Sequence, residues 1–370
     1  MKYFLGLGTW GFGGPIATVG YMQRDLVEQR GWLQRGDFLD GVALGQTMPG
    51  PLAAQVVMWV GYLQGGAVGA LATALPFILP SLVMVLAVAF LYVRYQGLET
   101  VQALFYGIAP AVMAIIAVAA VKLARLTNER DARLWALSAI IFAVTALTST
   151  EIAILFVVAG LVMMLWEAPP SRWRTPTAIV APPPMLATVA SLLGTADASS
   201  ALLLCVFFLK AGAFIFGSGL AIVPFLREGV VEQHHWLTER QFLDAVSMGL
   251  ITPGPVVITA AFIGYLVAGL AGAIVSTVAI FLPIFLGVVV PAPWFLRHRD
   301  HRALRGFVKG ATAAAAGAIA GATVVLAKGA IVDWRTAVIA VAALGFVLRF
   351  KNREPILVVL AATAGLVFYR

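Results

Sequence analysis

Charge is scarce in this chain. Only 11% of its 370 residues are charged, against about 25% in an ordinary soluble domain. With 61% hydrophobic residues and a mean hydropathy of +0.95, that shortage excludes a water-soluble globule. Cysteine is nearly absent. Cys205 stands alone in an apolar run, so an internal disulfide is excluded and a small apolar filler is the plain reading. Histidine is limited to His234, His235, His298 and His301, all in loops and without a ligand pattern. No metal and no cofactor are therefore expected. No phosphate-binding loop or Rossmann unit follows a strand-like segment, so an enzyme is not expected, and any pumping must use an ion gradient or the membrane potential. The formal net charge is +8, but the cations are scattered through short loops, so nucleic-acid binding is not expected. No cleavable leader is expected either, because the opening run leads into a charged loop.

What the chain does have is long apolar runs, such as Ala67–Tyr92, Ala103–Val121 and Leu270–Val290. Each can cross a hydrocarbon layer about 30 Å thick as a helix, and none alternates as a barrel strand would.

The second distinctive feature is a repeat. Adding 204 to a number in the first fifty residues gives its partner: Gly8 and Gly212, Gly13 and Gly217, Glu28 and Glu232, Trp32 and Trp236, Asp40 and Asp244. About 20 of 48 such positions are identical, as in a duplicated unit. Three regions follow: a first repeat over 1–166, a Pro-rich linker over 167–200, and a second repeat over 201–370. Each half opens with an expected span, Tyr3–Met22 or Ala201–Leu226. A charged loop and a short, weakly apolar helix come next. That helix runs into Pro49-Gly50-Pro51 or Pro253-Gly254-Pro255, which cannot continue it but suit the first turn of a new one. A break at membrane depth is expected at each.

Loop charge bears on how the halves are oriented. If the linker does not cross, the halves are parallel and the cations divide about 14 against 10. If a linker segment such as Ile179–Leu193 crosses, the halves are inverted, Lys2 shares a side with Arg227–Arg240, and the division is about 17 against 7. The positive-inside rule prefers the second and puts Met1 in the cytoplasm. The expected fold is an all-α polytopic membrane protein of two homologous, inverted halves with broken, re-entrant helices and about 12–13 membrane segments.

Candidate binding residues sit at the breaks. Gly13 and Gly14 remove side chains before Pro15, and Gly217 and Ser218 match them. Gly50 and Gly254 form the second pair of breaks. A restarted half-helix presents free N–H groups and about half a positive charge, which suits an anion. Close packing of helices through small residues is the plain alternative. Gln46, Thr47, Gln55 and Thr252 can hydrogen-bond an oxyanion or seal the broken backbone. Lys210 stands where the first copy has Gly6; it is either the positive group near a substrate or a snorkelling side chain. In the charged loops and just after them, Arg24, Glu28, Asp40, Arg227, Glu232 and Asp244 can take up coupling protons or form gates, or belong to a solvated surface. In a membrane protein, duplicated units broken by Gly and Pro point to a transporter with its site between the copies.

These residues resemble a known family. Phe12-Gly13-Gly14-Pro15, Phe38-Leu39-Asp40, Gly45-Gln46 and Pro49-Gly50-Pro51 are similar to the chromate ion transporter family. So are Phe216-Gly217-Ser218-Gly219, Trp236-Leu237, Phe242-Leu243-Asp244 and Thr252-Pro253-Gly254-Pro255. The likeness covers nearly the whole chain and is to the long, two-domain form. It implies halves of opposite orientation and a secondary transporter that exports chromate across the bacterial inner membrane and confers resistance, with sulfate as a related oxyanion. An anion channel is the alternative. Proton or counter-ion coupling and a homodimer are further expectations. One departure is Thr18, where family members often carry a histidine.

Overall fold

The computed structural model describes residues 1–11, 14–95, 99–148, 153–168, 200–215, 219, 222–294, 302–350 and 354–369. Among them every regular element is helical. The first half holds α1 (Lys2–Trp10), α2 (Gly14–Met22), α3 (Arg35–Thr47), α4 (Leu52–Tyr95), α5 (Glu99–Asn128), α6 (Ala132–Thr148) and α7 (Ala153–Glu167). The second holds α8 (Ser200–Phe214), α9 (Ile222–Arg227), α10 (Glu239–Ile251), α11 (Thr259–Val289), α12 (Arg302–Ala330), α13 (Trp334–Arg349) and α14 (Glu354–Phe368). Among the described residues four stretches are long and apolar enough to cross a membrane: Leu52–Tyr95, Glu99–Arg125, Val256–Trp294 and Arg305–Ala330. Large apolar side chains such as Val68, Leu75, Leu79 and Val83 stand exposed at helical spacing along α4, a surface suited to lipid and not to water.

The opening of each half is not a span. A straight helix would hold Tyr3 and Asp25 about 33 Å apart. Instead the Tyr3 hydroxyl donates to Asp25 Oδ2 at 3.2 Å, and the Arg30 guanidinium lies 5.0 Å over the Tyr3 ring. The chain leaves helical geometry at Gly11 (φ −77°, ψ 64°) and restarts at Gly14-Pro15, where proline suits a first turn. So α1 and α2 form a hairpin that enters and leaves by one face. In the second half Phe207 stacks on Phe225 at 5.6 Å and meets Trp236 at 5.6 Å, which closes α8 and α9 into the same hairpin. The return leg of each continues as a π-helix, over Gln23–Gln29 and Glu228–Gln233.

A second hairpin follows. Proline disfavours helical backbone in the residue before it. Met48 and Thr252, which precede Pro49 and Pro253, are accordingly extended (ψ 150° and 130°), ending α3 and α10. The chain then doubles back: Trp59 Nε1 donates to the Asp37 carbonyl at 2.9 Å. The 44 residues of α4 are two legs, 52–64 and 67–95, because Gly65 and Gly66 are non-helical. The Thr73 hydroxyl reaches back to the Val57 carbonyl at 2.8 Å, pinning the short leg against the long one. In α11 the same turn falls at Ala268 and Gly269. From here the copies align at an offset of 203: Gly61 with Gly264, Gly69 with Gly272, Pro80 with Pro283.

The long leg of α4 fixes the orientation of the halves. It starts on the face where the first half's hairpins have their bases. Ser81 is at its centre, and there it meets Gly254, the tip of the second half's hairpin. Eleven residues further on, Tyr92 meets Asp244, ten residues before Gly254, with 2.8 Å between hydroxyl and carboxylate. Hence α10 has its base on the face where α4 ends, and the two halves are inverted. Arg24, Arg30 and Arg35 share a face with Lys2, while Arg227 and Arg240 lie on the other. This corrects the grouping that an opening span would produce.

The remaining helices close around this frame. Gly107 in α5 packs against the Ala361 carbonyl and Gly365 of α14, and Gly317 in α12 against the Ser138 carbonyl of α6, the close approach small residues allow in membranes. Lys309 binds Glu167 at 2.8 Å on the first face. Ser200 opens α8 on the opposite face. Apart from its ends, the linker between them, with the Ile179–Leu193 segment, lies outside the described residues.

Candidate functional site

The two Pro-Gly-Pro tips meet, respectively, the end of α8 and the body of α1 at the level of Ser81. The Gly50 N–H donates to the Ile215 carbonyl at 2.5 Å, joining the Pro-Gly-Pro tip of the first half to the end of α8. A methyl group placed on Gly219 would touch Pro51 at 3.5 Å and Val256 at 3.4 Å. Gly254 packs against Ser81, with the Gly8 carbonyl 3.8 Å from where its Cβ would be; Gly50 packs against Ile284, 3.0 Å from its own Cβ position. Each Pro-Gly-Pro tip therefore leans on the long leg of the opposite half. Positive φ at both glycines (+144° at Gly50, +105° at Gly254) excludes an ordinary side chain there.

The proposed binding residues fare differently. Gly14 is the first residue of α2. Gly13, Gly217 and Ser218 lie outside the described residues. Gln46 and Thr47 are the last residues of α3, with side chains outside the description. Gln55 is fully buried; its Nε2 donates to the Met48 carbonyl at 3.2 Å and the Pro49 carbonyl at 2.9 Å, sealing the first break. Thr252 gives its proton to the Met248 carbonyl at 2.7 Å. Lys210 is exposed on α8. It is close enough to His234 that, after burial, its charge helps push that ring below its usual pKa.

The coupling candidates split by half. Arg24 pairs with its neighbour Asp25 at 2.7 Å, and Glu28 accepts from Gln23 at 3.4 Å; both sites are exposed. Asp40 is half-buried. Arg227, by contrast, bridges Glu232 at 2.5 Å and Glu239 at 2.9 Å with only 15% of its side chain exposed. Asp244 is 3% exposed, and the Tyr92 hydroxyl is the partner that reaches it.

Sequence reasoning missed Ser81 and Tyr92. Ser81 is fully buried and its Oγ has no hydrogen-bond partner. A separate groove of about 480 Å³, between α4 and α5, is lined by Val88, Leu91, Tyr92, Val101, Leu104 and Phe105 among others. Its wall is almost wholly apolar, which does not suit a dianion.

Comparison with known proteins recognises both halves of the chain. A family model described as chromate transporter matches residues 1–166 and 202–366. The chain is 50% identical over 372 residues to a chromate transport protein of Cupriavidus metallidurans, covering 100% of this chain and 92% of that one. It is 46% identical over 374 residues to a probable chromate transport protein of Synechococcus elongatus, covering 100% and 94%. A chromate transport protein of Pseudomonas aeruginosa is 29% identical over 391 residues, covering 98% and 89%. No solved structure matches.

Proposed function

The chain belongs to the chromate transporter family, and from that premise we propose that it is a secondary carrier exporting chromate, a tetrahedral oxyanion, from the cytoplasm across the bacterial inner membrane. The observation that carries this reading is the meeting of two Pro-Gly-Pro tips, one from each face, with the long legs of the opposite halves. N-termini of half-helices offer N–H groups and positive dipole ends to an anion where lipid offers nothing. A site reached by hairpins from both faces suits alternating access, with one pair of hairpins parting from the core at a time.

Orientation follows from charge. Lys2, Arg24, Arg30, Arg35, Lys122, Arg125 and the Arg302–Lys309 group share the face where the chain begins; Arg94, Arg227, Arg240, Lys328 and Arg335 share the other. That excess puts Met1 in the cytoplasm. Coupling to protons or a counter-ion falls to Asp244, a carboxylate out of water at the contact between halves. The Arg227–Glu232–Glu239 cluster forms a gate at the outer base of the second half. Sulfate has the shape and charge of chromate and shares the site. A homodimer is the assembly we assign.

Chromate flux into vesicles containing the purified protein, with sulfate as competitor, tests the proposal. Saturable flux that sulfate reduces is expected. Flux of neither anion would overturn it, and uncoupled current in a planar bilayer would replace the carrier by a channel. Gly254→Val is expected to abolish flux while the protein still inserts.

A further inference from the structure

The duplication makes two equivalent places where a Pro-Gly-Pro tip meets a long leg of the other half. At an offset of 203, with Pro80 on Pro283 and Phe77 on Ile280, Ser81 falls on Ile284. The packing repeats with the sequence: Gly8 lies against the Phe77 carbonyl and Gly212 against the Ile280 carbonyl, while Gly254 lies against Ser81 and Gly50 against Ile284. The two places are alike in backbone and opposite in chemistry.

The Gly50 place is closed to an anion. Its N–H is taken by the Ile215 carbonyl at 2.5 Å. The Gln55 NH2 is taken by two carbonyls, and the rest of the Gln55 amide is an unpartnered acceptor, Oε1, which repels negative charge. Ile284 covers the tip with an apolar side chain. At the Gly254 place the donors are unused. Among the described residues the Gly254 N–H has no acceptor. Ser81 is fully buried, its Oγ is unpartnered, and it points at Gly254 within contact distance. The chain restarts beyond Pro255 at Val256, whose backbone nitrogen lies 3.9 Å from the Cβ position of Gly219. A buried hydroxyl without a partner is costly in a native protein and calls for an explanation; Ser276 shares that state, but only Ser81 stands at a broken-helix tip beside an unused N–H. The nearby Gly8 carbonyl is an acceptor, so it disfavours an anion on its own side and leaves the Ser81–Gly254 side as the approach.

We infer that the oxyanion is held at one of the two tips only, by the Ser81 hydroxyl and the Gly254 N–H together, and that the Gly50 tip is a seal. This rests on the carrier reading above and adds the donor and the asymmetry. A hydroxyl and a backbone N–H, with no cation beside them, would favour an oxyanion that accepts hydrogen bonds over a cation or an amphipathic solute.

The test uses the full-length protein in vesicles, with chromate as the probe. Ser81→Ala is expected to raise the KM for chromate flux roughly tenfold or more, the loss implied by one hydrogen bond to a charged group, with little change in maximal rate. It is also expected to remove the rise in melting temperature that chromate gives the wild-type protein in detergent. Ser276→Ala removes the other serine hydroxyl that is fully buried and unpartnered among the described residues; it packs against Gly264 and not at the tips, and the change is expected to alter neither. Wild-type KM and wild-type chromate protection in Ser81→Ala would overturn the inference while leaving the carrier intact. An equal rise in Ser276→Ala would overturn it too, by making the effect one of packing. Absence of flux and of chromate protection in the wild type would remove the carrier reading and the inference with it.

Discussion

Tyr92 and Asp244 join the halves through a single hydrogen bond, and Tyr92→Phe removes it with little else disturbed. The ring is held by edge contacts with Phe105 at 5.3 Å and Phe262 at 5.4 Å, and phenylalanine keeps both. What disappears is the donor to a carboxylate 2.8 Å away in a residue 3% exposed. A hydrogen bond to a charged group is worth about 1.5–3 kcal/mol, and leaving the buried partner unsatisfied puts the loss toward the upper end. Arg240, one helical turn before Asp244, is exposed, so its attraction through solvent offsets little of that.

The assay is thermal unfolding in detergent with the pair treated as a double-mutant cycle. Tyr92→Phe is expected to lower the melting temperature by several degrees. Asp244→Asn keeps an oxygen that accepts from Tyr92 and removes the charge, so its own loss is smaller. In the double variant no charge is stranded, and the protein is expected to melt above Tyr92→Phe alone, a non-additivity that neighbours sharing one bond show. If Asp244 also carries the coupling proton, Asp244→Asn loses the pH dependence of chromate flux and can no longer drive it with a proton gradient. A Tyr92→Phe protein that melts with the wild type, or a double variant whose losses simply add, would refute the reasoning.

Two further predictions address orientation and the gate. With Cys205 replaced by alanine, Gln29→Cys and Gln233→Cys occupy the same exposed position of the repeat and are expected to react with an impermeant thiol reagent from opposite sides of the membrane; reaction from one side would rule out inverted halves. Arg227→Ala breaks a half-buried bridge to two carboxylates, whereas Arg24→Ala breaks an exposed pair, so only the first is expected to lower the melting temperature and alter chromate flux, and equal effects would deny the gate.

The parts of this fold that were legible in the sequence are those written in proline and glycine. Pro49-Gly50-Pro51 and Pro253-Gly254-Pro255 announce a broken helix because proline removes a donor and forces the residue before it out of the helix, whatever surrounds it. The repeat was legible for the same reason. The fold-back at residues 11–14 was not. Twenty apolar residues interrupted by glycine read alike as a kinked span or as two legs of a hairpin, since lipid rewards both; what decides is that Tyr3 meets Asp25, a contact 22 residues long that no local pattern encodes. Because that first step was misread, the cations after it were assigned to the wrong face even though inversion itself was expected.

Ser81 was hidden for a different reason. A lone serine in an apolar run is ordinary in a membrane helix, where its hydroxyl usually bonds the preceding turn, as Thr277 and Thr323 do here at 2.7 Å each. The signal that could have exposed it is comparative and internal. Once Gly61 and Gly69 are set against Gly264 and Gly272, one residue is missing from the second copy, the register moves from 204 to 203, and the serine falls on isoleucine at the centre of each long leg. The Gly6 and Lys210 difference draws the eye because a charge stands out, yet Lys210 is exposed near the base of its hairpin. The tips differ instead by Ser81 against Ile284 and by Gln55 against Thr259, changes between neutral side chains. That is physically reasonable at the centre of a bilayer: a fixed cation there would be costly to bury and would bind a dianion too tightly to release it, whereas a hydroxyl and a few backbone N–H groups can hold the anion and let it go.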